Sequence, residues 1–172
     1  MVSRVVPSPL GDITLVATDA ALKGLWIAGQ RVELSGYDSL PPSGNNPVLR
    51  EAERWLKAYF EGKRPSVESL PMEPEGSDFR RLIGSLMLRI PYGETVTYGE
   101  LAAEAARLMG KAKMSAQAVG GAVGSNPISI IIPCHRVMGA GGRVTGYAGG
   151  VYLKMQLLQH EGVDTSGFIM PK

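Results

Sequence analysis

Residues 97–126 read TYGELAAEAARLMGKAKMSAQAVGGAVGSN, and this stretch decides the fold class. Thr97 followed three residues later by Glu100 matches a capping box, in which side chain and backbone satisfy each other at a helix start. Leu101, Ala105 and Leu108 continue that helix on one face, and Gly110 breaks it. Ser115 caps a second helix that runs to about Gly124 and ends at Asn126-Pro127. Two short helices joined by a glycine-containing turn predict a helix-turn-helix. The second helix is nearly bare, with Ala116, Ala118, Gly120, Gly121, Ala122 and Gly124. Each interior glycine costs about 0.5–1 kcal/mol relative to alanine, so some close backbone approach is required in return. Two readings stand: tight packing on the protein's own sheet, or a slim helix entering a narrow nucleic-acid groove. The lack of long polar side chains argues against reading base edges in a major groove. It suits shape-based, sequence-independent contact in a minor groove.

Upstream of this stretch, Ser77 is the N-cap of a helix whose Phe79, Leu82, Ile83, Leu86 and Ile90 share one face, before Pro91. Residues 65–76 hold three prolines and no period, and read as a linker. Before the linker, Val2 to Val6, Ile13 to Thr18 and Leu22 to Ile27 read as strands. A loop-like stretch runs from Ser35 to Asn46. Asn46 and Pro47 then open a helix with an apolar stripe at Val48, Leu49, Ala52, Trp55, Leu56 and Tyr59. The expected class is therefore α/β (α+β). A small sheet with one helix occupies residues 1–75, and a winged helix-turn-helix domain occupies residues 76–172.

Downstream, Ile130-Ile131-Ile132 is short, β-branched and bounded by punctuation, which predicts a buried strand. Pro133-Cys134-His135 follows, and Cys134 is the only cysteine in 172 residues. A thiol attacks as thiolate, a state promoted by a neighbouring base. The bland reading is a buried structural thiol.

Composition bounds the possibilities. Hydrophobic residues make up 44% and charged residues 20%, ordinary for a globular protein. Met1-Val2-Ser3-Arg4 has no signal-peptide layout, and no apolar run approaches the roughly 20 residues that span a bilayer. One cysteine excludes an internal disulfide and CxxC zinc spacing, so a reducing cytoplasm is expected. Residues 1–75 carry 8 Lys+Arg against 10 Asp+Glu, and residues 76–172 carry 10 against 6. The second half is the better partner for a polyanion.

Three strings then become specific. Ile132-Pro133-Cys134-His135-Arg136-Val137 is preceded by Ala118-Val119-Gly120-Gly121-Ala122 and Ser125-Asn126-Pro127. Ile90-Pro91-Tyr92-Gly93-Glu94-Thr95-Val96-Thr97-Tyr98-Gly99-Glu100-Leu101 precedes the helix-turn-helix. Gly146-Tyr147-Ala148-Gly149-Gly150, Lys154 and Glu161-Gly162 follow the cysteine. Together they closely resemble the O6-alkylguanine-DNA alkyltransferases over residues 77–162, with weaker likeness at Ser8-Pro9-Leu10-Gly11 and Tyr59-Phe60-Glu61-Gly62.

The resemblance implies direct-reversal DNA repair. The alkyl group of O6-alkylguanine, and of O4-alkylthymine, passes irreversibly to Cys134 from a base flipped out of the duplex. It implies a ribonuclease H-like N-terminal topology, no cofactor and no metal. It also implies a monomer that binds double-stranded DNA through the minor groove, largely without sequence preference. By position, Cys134 is the nucleophile and His135 the base acting through a water. Glu161 orients the imidazole, and Asn126 supports the turn. Tyr98 donates to the flipped guanine, and Tyr147 with Ala148 closes the base pocket, which Ser129 and Val137 help to shape. Ala118, Gly120, Lys113 and Lys154 fall on the DNA- or substrate-facing side, with Lys111 beside them, and Arg136 is structural. One position departs from the family pattern: Gln117 stands where an arginine usually enters the duplex. Glutamine can bond the orphaned base but lacks a stacking cation, so weaker base flipping is expected. A lesion-binding protein without chemistry, a winged-helix transcription factor and a cysteine hydrolase are the rival readings.

Overall fold

The computed structural model describes residues 1–30, 37 and 39–172, and divides into two compact units. The first holds residues 1–75 together with 127–131; the second holds residues 76–126 and 132–172. Part of the loop-like stretch expected from Ser35 onward lies outside the described residues.

In the first unit, β1 (Val2–Val6), β2 (Ile13–Ala17) and β3 (Leu22–Ile27) form an antiparallel sheet in that order. Val6 pairs with Ile13, and Ile13 with Ile27, which places β2 centrally with four of its five residues buried. Helix α1 (Pro47–Phe60) starts at Asn46, whose side chain accepts from Leu49 N at 3.0 Å. Its apolar stripe, Val48, Leu49, Ala52, Trp55, Leu56 and Tyr59, is buried as its spacing predicted. Residues 127–131 join this unit beside β3: Leu25 N donates to Pro127 O at 2.9 Å, and Ser129 N donates to Leu25 O at 2.9 Å.

The strand expected over Ile130–Ile132 is not formed. All three residues are buried, yet among the described residues none of them pairs in a ladder; the neighbouring bridge is Leu25–Ile128. Ile130 adopts φ +67°, a left-handed conformation that a β-branched residue avoids. Ile131 N then donates back to Ser129 O at 2.7 Å, so the run is a turn. Burial explains its composition; a short apolar run carries no period that separates strand from turn.

The second unit contains α2 (Asp78–Met87), β4 (Val96–Thr97), α3 (Tyr98–Leu108), α4 (Ala116–Gly124), β5 (Val137–Met138) and α5 (Val151–His160). The capping box is complete: Glu100 N donates to Thr97 Oγ1 at 3.1 Å, and Thr97 N donates to Glu100 Oε2 at 2.7 Å. This anchors the first turn of α3, where Tyr98 sits. β4 pairs in parallel with β5, which sets Val137 directly after the cysteine segment. Asn126 Nδ2 donates to Ile132 O at 2.8 Å, tying together the two ends of the second unit that flank residues 127–131. Among the described residues, no helix is long and apolar enough to cross a membrane.

Candidate active site

Cys134 opens a single 3₁₀ turn, Cys134–Arg136, rather than lying on an extended segment. Cys134 N donates to Ile132 O at 2.8 Å and Arg136 N to Pro133 O at 3.0 Å. With three residues per turn, successive side chains fan out about 120° apart. Cysteine, imidazole and guanidinium therefore leave the backbone in three directions. The separation of Cys134 from His135 follows from this turn.

His135 and Arg136 converge on one carboxylate. His135 Nε2 lies 2.6 Å from Glu161 Oε1. Arg136 donates to Glu161 through Nε at 2.8 Å and Nη2 at 3.0 Å, and its Nη1 donates to Ile90 O at 2.6 Å. Gly93 N donates to Glu161 Oε2 at 3.1 Å. Burial alone would raise the Glu161 carboxyl, but hydrogen bonds from His135 and Arg136 and the Arg136 charge hold it well below the usual carboxylate range. An ionised Glu161 fixes the imidazole tautomer, with the proton on Nε2. His135 Nδ1 is then the other ring nitrogen, buried and without a hydrogen-bond partner among the described residues. Burial pushes the imidazole below its ordinary value, against the pull of Glu161, so it is neutral at pH 7 and able to take a proton.

The Cys134 thiol is 7% exposed. Burial pushes it above its ordinary value, while the Asn126 side chain, the Lys154 charge and two backbone N–H groups pull it back down. Lys154 is fully buried on α5. Its ammonium donates to Thr145 O at 2.9 Å and to Val137 O, and sits 5.9 Å from the centre of the Tyr98 ring. Burial lowers it to about 8, with the Cys134 charge opposing. A thiol that resists ionising, next to a neutral base and a fixed cation, is set up to lose its proton as it reacts.

Beside this cluster lies an open cavity of about 620 Å³, within the range of small-molecule sites, roughly 300–1,000 Å³. Tyr98, Gln117, Gly120, Tyr147 and Ala148 line it, with Ala116, Gly124, Thr145 and Gly146. The Tyr98 hydroxyl is pushed up by burial, pulled down by the Thr145 side chain and pushed up by Cys134, and its Oη donates to Thr145 O at 3.5 Å. Two glycines shape the wall. A Cβ on Gly120 would stand 4.0 Å from the Tyr98 ring, and one on Gly146 (φ +50°) would stand 3.4 Å from Tyr98 Oη. The bare helix α4 thus presents backbone to a cavity.

The remaining expected residues fall elsewhere. Val137 is fully buried in β5, and Lys154 is buried within the second unit. Ala118 and Lys113 are exposed but do not line the cavity. Ser129 lies in the first unit, where its Oγ accepts from Gln30 Nε2 at 3.1 Å. Sequence reasoning missed the Gly93 N–H, the Arg136–Glu161 fork and the lining by Thr145. Only Arg136, adjacent to His135, carried any local signal.

Comparison with known proteins adds a separate line of observation. The family described as 6-O-methylguanine DNA methyltransferase, DNA binding domain, matches residues 78–163, and its ribonuclease-like domain matches residues 1–74. A methylated-DNA–protein-cysteine methyltransferase of Methanosarcina acetivorans is 41% identical over 162 residues, covering 94% of this chain and 99% of that protein. The protein of the same name from Mycobacterium tuberculosis is 39% identical over 158 residues, covering 92% and 90%. The crystal structure of Mycobacterium tuberculosis O6-methylguanine methyltransferase matches with TM-score 0.79 at 39% identity, covering 93% of this chain and 92% of that one. The same organism's OGT in complex with DNA matches with TM-score 0.79 at 36% identity, covering 94% and 92%.

Proposed function

The chain belongs to the 6-O-methylguanine DNA methyltransferase family, and we propose that its reaction runs through the cluster around Cys134. It is a methylated-DNA–protein-cysteine methyltransferase: it binds DNA and repairs it by direct reversal, taking the alkyl group onto its own cysteine.

Cys134 Sγ attacks the alkyl carbon of O6-alkylguanine. The S–C bond forms as the C–O6 bond breaks, and the guanine oxygen keeps the electron pair. The thiol proton passes through a water to His135 Nδ1, and the imidazolium formed is stabilised by Glu161. Tyr98 donates toward a guanine ring nitrogen as charge develops there, and the proton given up by the thiol is finally balanced by the one guanine gains. The product thioether is stable, so each molecule reacts once. Asn126 and Lys154 stabilise sulfur as it loses its proton. The observation that carries this reading is the 2.6 Å His135–Glu161 bond, which leaves Nδ1 as the free base.

In this reading the alkyl acceptor and the contacts to the flipped nucleotide belong to residues 76–172, with residues 1–75 a separate domain. The thin helix α4, with Ala118 and Gly120, enters a minor groove without sequence preference, and Lys113 meets phosphate. Gln117 holds the gap left by the flipped nucleotide, and the Tyr147–Ala148 loop closes on the base. The protein acts as a monomer. It works in the cytoplasm, where a lone thiol stays reduced.

Mass spectrometry after incubation with an oligonucleotide carrying O6-methylguanine tests the proposal. A methyl replacing the thiol hydrogen of Cys134, absent in Cys134→Ala, is the expected result. An unmodified protein that still binds the lesion would overturn it.

A further inference from the structure

The first unit carries a cavity of its own, of about 580 Å³, lined by the charged residues Arg4, Arg50, Glu53, Arg54 and Lys57. Four cations surround one carboxylate, within a segment whose overall balance is acidic, with 8 Lys+Arg against 10 Asp+Glu over residues 1–75. The concentration is local and ordered. Arg50, Arg54 and Lys57 recur at i, i+4 and i+7 on the exposed face of α1, opposite its buried stripe. The one carboxylate is already used: Glu53 Oε2 accepts from Arg4 Nη1 at 2.5 Å. Arg4 is locked in place, because its Nη2 also donates to Gly44 O at 2.7 Å and its Nε to Ser43 O at 3.4 Å. Among the described residues Arg50 bonds only the neutral Asn45 Oδ1, at 2.7 Å, and Arg54 pairs with Glu51 on the helix surface. Such an exposed pair is worth little and opens readily to a stronger anion.

We propose that this groove binds the phosphate backbone of a DNA duplex, as a contact that belongs to the first unit and takes no part in the alkyl transfer. The inference rests on the DNA-binding reading above. The spacing fits the ligand. On a helix rising 1.5 Å per residue, Arg50 to Lys57 spans about 10 Å. One DNA strand carries a phosphate about every 3.4 Å along the duplex axis, so the stripe faces about three phosphates. Arginine meets phosphate with a planar fork, while lysine adds a point charge. Neither side chain has to leave a buried site to do so.

Binding of the full-length protein to an undamaged duplex, measured by fluorescence anisotropy across a salt series, tests this. Each neutralised phosphate contributes about 0.9 to the slope of log affinity on log salt. The triple variant Arg50→Gln/Arg54→Gln/Lys57→Gln is expected to show a shallower slope by about 2.7. Between 50 and 200 mM salt the native protein would then lose roughly 40-fold more affinity than the variant. The charge-preserving Arg50→Lys/Arg54→Lys should keep the native slope. Methylation of Cys134 by free O6-methylguanine base, which needs no duplex, should be equal in all three and reports intact folding. An unchanged slope in the triple variant overturns the groove, as does a loss of affinity with no change of slope. If the native protein neither binds duplex nor methylates Cys134, the proposed function falls instead.

Discussion

His135 and Glu161 stand 26 residues apart in the chain, and His135 Nε2 lies 2.6 Å from Glu161 Oε1. Because the same carboxylate also receives the Arg136 fork, it stays ionised while fully enclosed. That single arrangement decides which imidazole nitrogen is free, and so which direction the thiol proton travels. Four expected outcomes follow from this cluster and its surroundings.

Glu161→Gln should destabilise the fold by about 3–5 kcal/mol at pH 7, because it leaves the Arg136 guanidinium buried without its counter-charge. The carboxyl lies below its ordinary 4.5 in the folded state. Its contribution is therefore present above about pH 4.5 and is lost as pH falls through the depressed folded value. Denaturant titrations should give a native-to-variant gap that is full at pH 7 and narrows in acid. A gap that does not vary with pH would contradict the assignment.

Lys154→Met should raise the apparent pKa of the Cys134 thiol, read from ultraviolet thiolate absorbance against pH, and slow methyl transfer. Stability should move the other way. Lys154 sits at about 8 when folded against 10.5 ordinarily, so the unfolded chain binds that proton more readily. The resulting penalty, about 3 kcal/mol, is full below pH 8 and fades as pH rises to 10.5. Native protein should gain stability relative to Lys154→Met across that window.

Gly93→Ala should weaken both fold and chemistry. Gly93 has φ +78°, and an added Cβ would meet the Glu161 carbonyl oxygen at 3.1 Å. The left-handed backbone alone costs roughly 1–2 kcal/mol for a residue with a side chain. Displacement of Glu161 would also loosen its bond to His135, so the methylation rate should fall along with thermal stability. A rate equal to native would mean that Glu161 is held without Gly93.

Gln117→Arg should speed methylation of Cys134 on lesion-bearing duplex more than on free base. Gln117 is exposed and lines the cavity, so a guanidinium there can stack and attract phosphate without disturbing the thiol. Equal gains on both substrates, in parallel stopped reactions, would exclude a base-flipping role for this position.

Much of the scaffold was legible from local rules. The three strands of the first unit, the Asn46 and Ser77 caps, and the Thr97–Glu100 box all appear where spacing put them. These signals are satisfied by residues a few positions apart. Ile130–Ile132 shows the limit: its apolar run met the requirement for burial, but the left-handed backbone at Ile130 made a turn of it. Lys154 shows another, since nothing nearby in sequence says that a lysine on α5 will be buried against the Val137 and Thr145 carbonyls.

By itself, then, the sequence determined which chemistry was available: a lone thiol, an adjacent imidazole, a nearly bare helix and a tyrosine at a capped helix start. Helix periods and caps are short-range, and they survive in a one-dimensional reading. Only the tertiary structure decided that Glu161 is shared by His135 and Arg136 and steadied by Gly93, 68 residues away, and that Lys154 faces inward. Those outcomes depend on which distant groups share a dry interior, where an unpaired charge is too costly to leave alone.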